Sequence, residues 1–126
     1  MRTRRLTPGD RELARRLFAT MAQVFEEGCG RLSDGYLDRL LGREDFWAVA
    51  ALAGEEVVGG VTAHTLPMTR TESSELFIYD IAVRPDWQRK GIGRLLMTEL
   101  CEAAAAAGIR DVFVPADNDD THALDF

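Results

Sequence analysis

Residues 76–97, LFIYDIAVRPDWQRKGIGRLLM, constrain the chain more than any other stretch. Leu76, Phe77, Ile78, Tyr79, Ile81 and Val83 form an apolar, aromatic and β-branched run, the pattern of a strand buried on both faces. Asp80 is the one charge inside it. Arg84-Pro85-Asp86 ends the strand, because proline has no N–H to give to a ladder. Gln88-Arg89-Lys90-Gly91-Ile92-Gly93 then leads into a helical repeat at Ile92, Leu95, Leu96, Leu100 and Ala103.

That junction suits an anion. The first N–H groups of a helix have no partner within it, and the helix dipole is positive there. Gly91 and Gly93 lack Cβ atoms, so backbone can approach a bulky phosphate. Arg89, Lys90 and Arg94 add positive charge to a chain whose net charge is −6. A pyrophosphate is the natural guest; the competing interpretation is a plain helix start with a solvated basic turn. The chain has no G-x-x-x-x-G-K-S/T loop and no G-x-G-x-x-G after a first strand, which argues against the two commonest nucleotide-binding motifs.

The stretch resembles the acyl-coenzyme A signature of the GNAT superfamily of N-acetyltransferases. That signature, Q/R-x-x-G-x-G/A after a strand ending in an AV.P turn, stands here as Gln88 to Gly93 after Ala82-Val83-Arg84-Pro85. The resemblance implies acetyl-CoA as donor, held by Gln88, Arg89, Lys90, Gly91, Ile92, Gly93 and Arg94. It implies that the pantetheine arm lies along Ile81, Ala82 and Val83 like an added strand. It also implies a backbone N–H near Ile81 that polarises the thioester carbonyl. The family usually continues with a helix carrying a tyrosine that protonates the departing thiolate, then one or two strands. This sequence stops at Phe126, so the C-terminal part of the usual fold is expected to be missing and that proton donor is not assigned.

The length, 126 residues, implies one domain spanning 1–126. No apolar run reaches membrane-spanning length, and the basic N-terminus MRTRRLTPGD lacks the apolar core of a signal peptide. Cys29 and Cys101 show neither metal spacing nor the density of a disulfide framework, so the expected compartment is the cytoplasm and no metal is expected. The acidic balance disfavours nucleic acid and favours cationic partners.

Along the chain, residues 1–6 read as an edge strand. Thr7 reads as the cap of a first helix, with Pro8 at its first position and Leu13, Leu17, Met21, Val24 and Phe25 on its apolar stripe; Gly28-Cys29-Gly30 stops it. Ser33 caps a short second helix with Leu37, Leu40 and Leu41 inward. Strands follow at 46–53 and 57–65, the latter with Gly59-Gly60 marking a bulge or a close approach. After the central strand and its helix, which runs to Ala107 and is closed by Gly108, come a strand at 111–115, an acidic loop and the start of another helix at 121–126. This order predicts an α/β mixed sheet with helices packed on it, in agreement with the GNAT fold. A sheet left uncovered at the C-terminal edge predicts association with a second copy of the chain.

Acetyl transfer to an amine needs a base, because an alkylammonium with a pKa of roughly 10 is not nucleophilic at neutral pH. Asp80 is the leading candidate: a carboxylate inside an apolar strand is costly unless it is paired or used. Tyr79 beside it and Glu75 at the strand's start are placed to help, and His64 is a weaker candidate. Glu26 and Glu27, at a helix end where negative charge opposes the dipole, are candidates for binding a cationic ligand. Within the superfamily, Ile78-Tyr79-Asp80-Ile81-Ala82-Val83 resembles the corresponding strand of the aminoglycoside 3-N-acetyltransferases. The segment Ala116-Asp117-Asn118-Asp119-Asp120 is similar to their acidic loop. That resemblance implies a small cationic acceptor bound in part by Asp117, Asp119 and Asp120, and acetylation of its 3-amino group by direct attack. The same chemistry on a polyamine, an amino acid or a protein lysine stays open, as does a non-catalytic acyl-CoA-binding module.

Overall fold

The apolar runs pair in chain order. In the computed structural model, residues 1–114 are described. β1 (Arg2–Arg5), β2 (Phe46–Ala53), β3 (Glu56–Pro67), β4 (Ser74–Val83) and β5 (Asp111–Phe113) form one sheet in the order β1-β2-β3-β4-β5. The first four are successively antiparallel, and β5 runs parallel to β4. The parallel pair is made by a crossover through α3 (Ile92–Ala106), while α1 (Arg11–Val24) and α2 (Asp34–Leu41) fill the connection from β1 to β2. This is the expected mixed α/β sheet with helices on it.

Two cores flank the sheet. On one side Trp47, Val49, Val61, Leu76, Ile78, Ile81 and Val83 pack against Ile92, Leu96 and Leu100 of α3. On the other, α1 and α2 bring Leu17, Met21, Leu37 and Leu41 down onto Ala48, Ala50, Leu52 and Ala82. The second face is small-residued, so α1 comes close. A Cβ at Gly60 would lie 2.1 Å from Leu17 Cδ1, and one at Gly59 would lie 2.8 Å from the carbonyl of Ala82. The paired glycines therefore serve close approach by α1 and by β4. The same strand also carries a register shift against Ala51 and Leu52, which are opposite Gly59 and Val57.

The ends of the elements differ from expectation in instructive ways. Helix α1 starts at Arg11, later than Thr7, because residues 7–10 close a turn instead. The Asp10 N–H donates to the Thr7 carbonyl at 3.0 Å, and the Asp10 carboxylate accepts from the Thr7 N–H at 2.8 Å and from its hydroxyl at 3.1 Å. At its far end the left-handed position falls on Glu26 (φ 57°), ahead of Gly28. The Glu26 and Glu27 N–H groups then return to the Gln23 and Ala22 carbonyls, the paired bonds that close a helix. Ser33 caps α2 as expected, accepting from the Tyr36 N–H at 3.1 Å. Gly108 (φ 83°) closes α3 just past Ala106. Among the described residues no helix is long and apolar enough to cross a membrane. The expected loop with Asp117, Asp119 and Asp120, the helix at 121–126 and the C-terminal edge lie outside the described residues.

Candidate active site

The central strand departs from a strand buried on both faces at one point, and that point builds the site. Along β3–β4 the register runs Thr62 opposite Asp80 and then Ala63 opposite Ile78, so Tyr79 is an extra residue with nothing opposite it in β3. A β-bulge of this kind shifts the alternation of side chains by one. Before the bulge Leu76 and Ile78 enter the α3 core; after it Ile81 and Val83 do. Tyr79 and Asp80 are thus left together on the face of α1 and α2. Tyr79 is 62% exposed, against 2% for Ile78 and 5% for Ile81.

Both open onto a cleft of about 430 Å³ between that face of the sheet and the two helices. Phe18, Met21 and Ala22 of α1 form one wall. Phe25, Glu27 and Leu32 of the connection to α2, with Tyr36 and Leu40 of α2, form another. The floor is Phe46, Thr62, His64, Tyr79 and Asp80. Rings run across that floor in a row: Phe18–Phe46 at 6.2 Å, Phe46–His64 at 5.4 Å and His64–Tyr79 at 5.8 Å between centroids. The cleft therefore combines aromatic faces with two carboxylates, Asp80 and Glu27. Of the other candidates, Glu26 is exposed in the cap of α1, and Glu75 lies opposite Leu66 on β3 and Asp111 on β5; neither lines the cleft.

Ion pairs between α1 and α2 hold the walls. Arg15 donates to Asp34 at 2.7 Å and to the Leu32 carbonyl at 3.0 Å, and Arg11 makes a two-pronged pair with Asp38 at 3.0 and 2.6 Å. These hydrogen bonds keep the Asp34 and Asp38 carboxyls below the usual carboxylate range. Arg11, Asp34 and Asp38 are solvent-facing and Arg15 is mostly covered, so each pair is worth little alone; together they fix the helix pair that lines the cleft.

At its other end β4 leads through a short 3-10 turn (Pro85–Trp87) into the Gly-rich turn. Backbone φ is left-handed at Arg89 (63°) and Gly91 (83°), with Lys90 between them outside that region. Such alternation turns successive N–H groups toward one concavity, a geometry suited to anions. Gly91 is the N-cap of α3, and the first bond inside the helix is from the Leu95 N–H to the Gly91 carbonyl at 3.0 Å. The N–H groups of Ile92, Gly93 and Arg94 precede that bond and have no partner within the helix. No acidic side chain occupies its first turn, and the space where a Gly91 Cβ would stand is open. These features fit a pyrophosphate. Lys90 stands 5.2 Å from the Trp87 ring. Gln88 has a different duty: its amide donates to the Val83 carbonyl at 2.9 Å and closes the loop from strand to helix.

Antiparallel ladders bond on alternate residues. The Arg84 N–H bonds the Val58 carbonyl of β3, whereas the Val83 carbonyl points away, to Gln88. By the same alternation Ile81 presents its backbone N–H and C=O away from β3. The described pairing of β4 with β5 ends at Phe77 opposite Phe113, short of Ile81. Among the described residues no group of three His, Cys, Asp or Glu side chains is arranged to hold a metal ion.

The cleft's aromatic members, Phe18, Tyr36 and Phe46, were not legible as site residues. Each sits in an element whose pattern reads as ordinary packing, and only the packing of α1, α2 and β2 brings them together. His64 was legible as a titratable group at a strand end.

Among curated proteins none matches the chain. The family model described as acetyltransferase (GNAT) family matches residues 11–126. Among solved structures, the aminoglycoside acetyltransferase meta-AAC0020 from an uncultured soil metagenomic sample, in complex with sisomicin, is 35% identical with a TM-score of 0.91, covering 99% of this chain and 83% of its own. A second aminoglycoside acetyltransferase, HMB0005, also from an uncultured soil metagenomic sample, is 37% identical with a TM-score of 0.88, covering 92% of this chain and 79% of its own. The ribosomal-protein-alanine N-acetyltransferase of Brucella melitensis, at 23% identity and a TM-score of 0.76, shares the fold. The chain belongs to the GNAT acetyltransferase family and is an N-acetyltransferase that takes acetyl-CoA as its donor.

Proposed function

We propose that this enzyme acetylates an amino group of an aminoglycoside, the 3-amino group, by direct attack of the amine on the donor thioester. The observation that carries this reading is the bulge at Tyr79. It puts a carboxylate, Asp80, and an aromatic floor in one cleft at the edge of the strand segment that leads to the anion-binding turn. An aminoglycoside offers ammonium groups on saturated rings. Asp80 and Glu27 suit the ammonium groups, and the row Phe46–His64–Tyr79 suits the apolar faces of the rings. The 34–37% identity to enzymes described as aminoglycoside acetyltransferases supports the substrate class. The 3-amino position rests on the strand Ile78-Tyr79-Asp80-Ile81-Ala82-Val83 and its resemblance to that subgroup.

When bound, acetyl-CoA supplies an activated acetyl thioester. This chain's own residues do the rest. The N–H groups at the start of α3, with Arg89, Lys90 and Arg94 around them, hold the pyrophosphate. The strand segment Ile81, Ala82 and Val83, whose backbone faces away from β3 at Ile81 and Val83, receives the pantetheine arm, and the Ile81 N–H polarises the acyl oxygen. Asp80 takes the amine proton, directly or through water, with Tyr79 lying over the acceptor. Glu75 and Glu26 stand off the cleft and act through the field they add. Asp117, Asp119 and Asp120 add negative charge that favours a polycation. Cys29 and Cys101 are exposed and neither lines the cleft, which favours direct attack over an acyl-enzyme.

The test is a coenzyme-release assay over a panel: sisomicin and other aminoglycosides, spermidine, amino acids and a lysine peptide. Turnover confined to aminoglycosides, with the new acetyl group on the 3-amino nitrogen by NMR, is the expected result. Turnover confined to another amine would replace the acceptor, and coenzyme binding without turnover would leave a binding module. Expression in a susceptible cytoplasm should raise resistance to the same drugs.

A further inference from the structure

We propose that His64 is a positioning residue for the acceptor: its ring props Tyr79 over the cleft, and its proton competes with the cationic acceptor. The inference rests on the acceptor being cationic.

Tyr79 needs a prop. A strand side chain is normally steadied by the residue opposite it, and the bulge leaves Tyr79 without one in β3. Its ring is largely exposed, so burial does not hold it either. His64 makes the contact that the ladder lacks. Its ring meets Tyr79 nearly at right angles, 81° at 5.8 Å, the edge-to-face arrangement that aromatic quadrupoles favour. His64 is itself held from behind. It stands opposite Phe46 on β2 and Phe77 on β4, and Phe46 leans on Phe18 of α1. The row therefore links a core-facing helix to the residue next to Asp80.

Imidazole is the side chain that gains a proton in mild acid. The ionisable groups around His64 come from each neighbouring element. Asp45 precedes β2, and its carboxyl is held low chiefly by the hydrogen bond from Arg43, with a smaller contribution from His64. Tyr79 and Asp80 are on β4, Glu27 follows α1 and Tyr36 is on α2, all on the same cleft. An imidazolium there repels ammonium groups and engages the carboxylates that would receive them. Proton and acceptor thus bind antagonistically, and by linkage each weakens the other equally.

The experiment measures kcat and acceptor KM with sisomicin from about pH 5.5 to about pH 8.5 for the parent, His64→Phe and His64→Ala, with coenzyme Kd by calorimetry. All three proteins carry the same Asp80, so the difference between them reports His64. His64→Phe keeps the row of rings. The ratio of its KM to the parent's should be about threefold or more lower at the acid end than at the alkaline end. His64→Ala removes the prop and should raise KM about two- to tenfold at the alkaline end. Coenzyme Kd should hold in both. A His64→Phe profile that superimposes on the parent's at every pH overturns the proposal, as does parental KM in His64→Ala. If the alanine variant fails to fold, the phenylalanine profile decides. Absence of parental turnover with sisomicin would instead overturn the aminoglycoside reading, and this inference with it.

Discussion

Replacing Gly60 by alanine should unseat α1 and, through it, weaken acceptor binding without touching the cleft. The added Cβ would lie 2.1 Å from Leu17 Cδ1 and 3.2 Å from both Leu17 Cγ and the Val49 carbonyl. Carbon atoms rest at about 3.5–4.0 Å, so Leu17 must retreat by roughly 1.5 Å. It has little room, being fully buried with Ala14, Leu37 and Ala50 in the same cluster. Overpacking of this sort costs about 1–3 kcal/mol. Restricting the unfolded chain returns about 0.4–1 kcal/mol of that. The net loss of about 1–2 kcal/mol should lower Tm by about 4–8 °C for a domain of this size. Because α1 carries Phe18, Met21 and Ala22 of the cleft wall, acceptor KM should rise several-fold. Coenzyme Kd should hold, since the Gly-rich turn lies at the start of the helix on the opposite face. Calorimetry and steady-state kinetics read these quantities. Leu17→Ala in the same protein removes the atoms that clash, so the double variant should be more stable than the sum of its parts. Parental Tm and KM in Gly60→Ala, or strict additivity in the double variant, would refute the close seating of α1.

Four further outcomes are expected. Asp80→Asn should lower kcat by ~10²–10⁴ with coenzyme Kd unchanged; near-parental kcat removes Asp80 from the base role. Gly91→Val forces a branched side chain into left-handed backbone (φ 83°) at the cap of α3 and should weaken coenzyme binding measured by calorimetry; unchanged affinity in a folded variant would move the pyrophosphate elsewhere. Asp117→Asn with Asp120→Asn should raise acceptor KM most at low ionic strength, since the effect is steering; a KM insensitive to salt in both proteins would count against it. The Asp34, Asp38 and Asp45 carboxyls are held low by hydrogen bonds from Arg15, Arg11 and Arg43. Asp10 is low as well: partial burial pushes it up, and the Thr7 N–H and Arg4 outweigh that. Their folded values lie below the unfolded value of about 3.9, so the stability they add is present above about pH 4 and is lost as the pH falls through the folded values. Thermal melts should drop below about pH 4, less so in Asp34→Asn; a flat Tm down to about pH 2 contradicts this.

What the sequence determined by itself is the part whose physics is local. Proline at 85, glycines at 91 and 93 and the apolar repeat after them dictate a strand, a turn and a helix whatever surrounds them, so the glycine-rich junction between β4 and α3 was legible. Ser33 and Gly108 marked their helix ends for the same reason: a cap is a contact between residues three to five apart. The start of α1 was misread because two local solutions compete at Thr7–Asp10, and the reach of the Asp10 carboxylate to Thr7 favoured the turn. Glu26 took the left-handed place ahead of Gly28 because closing α1 there satisfies two carbonyls at once. The cleft was decided by tertiary structure alone. An apolar run of eight residues, Leu76–Val83, shows no sign of where its partner strand will slip, since the slip at Tyr79 exists only in the pairing with Thr62 and Ala63. That single extra residue reverses the alternation, turns Tyr79 and Asp80 to one face and sets them beside rings from α1, β2 and β3. Side-chain chemistry is written residue by residue; which chemistries meet depends on register between strands distant in the chain, and register is settled only when the whole sheet packs.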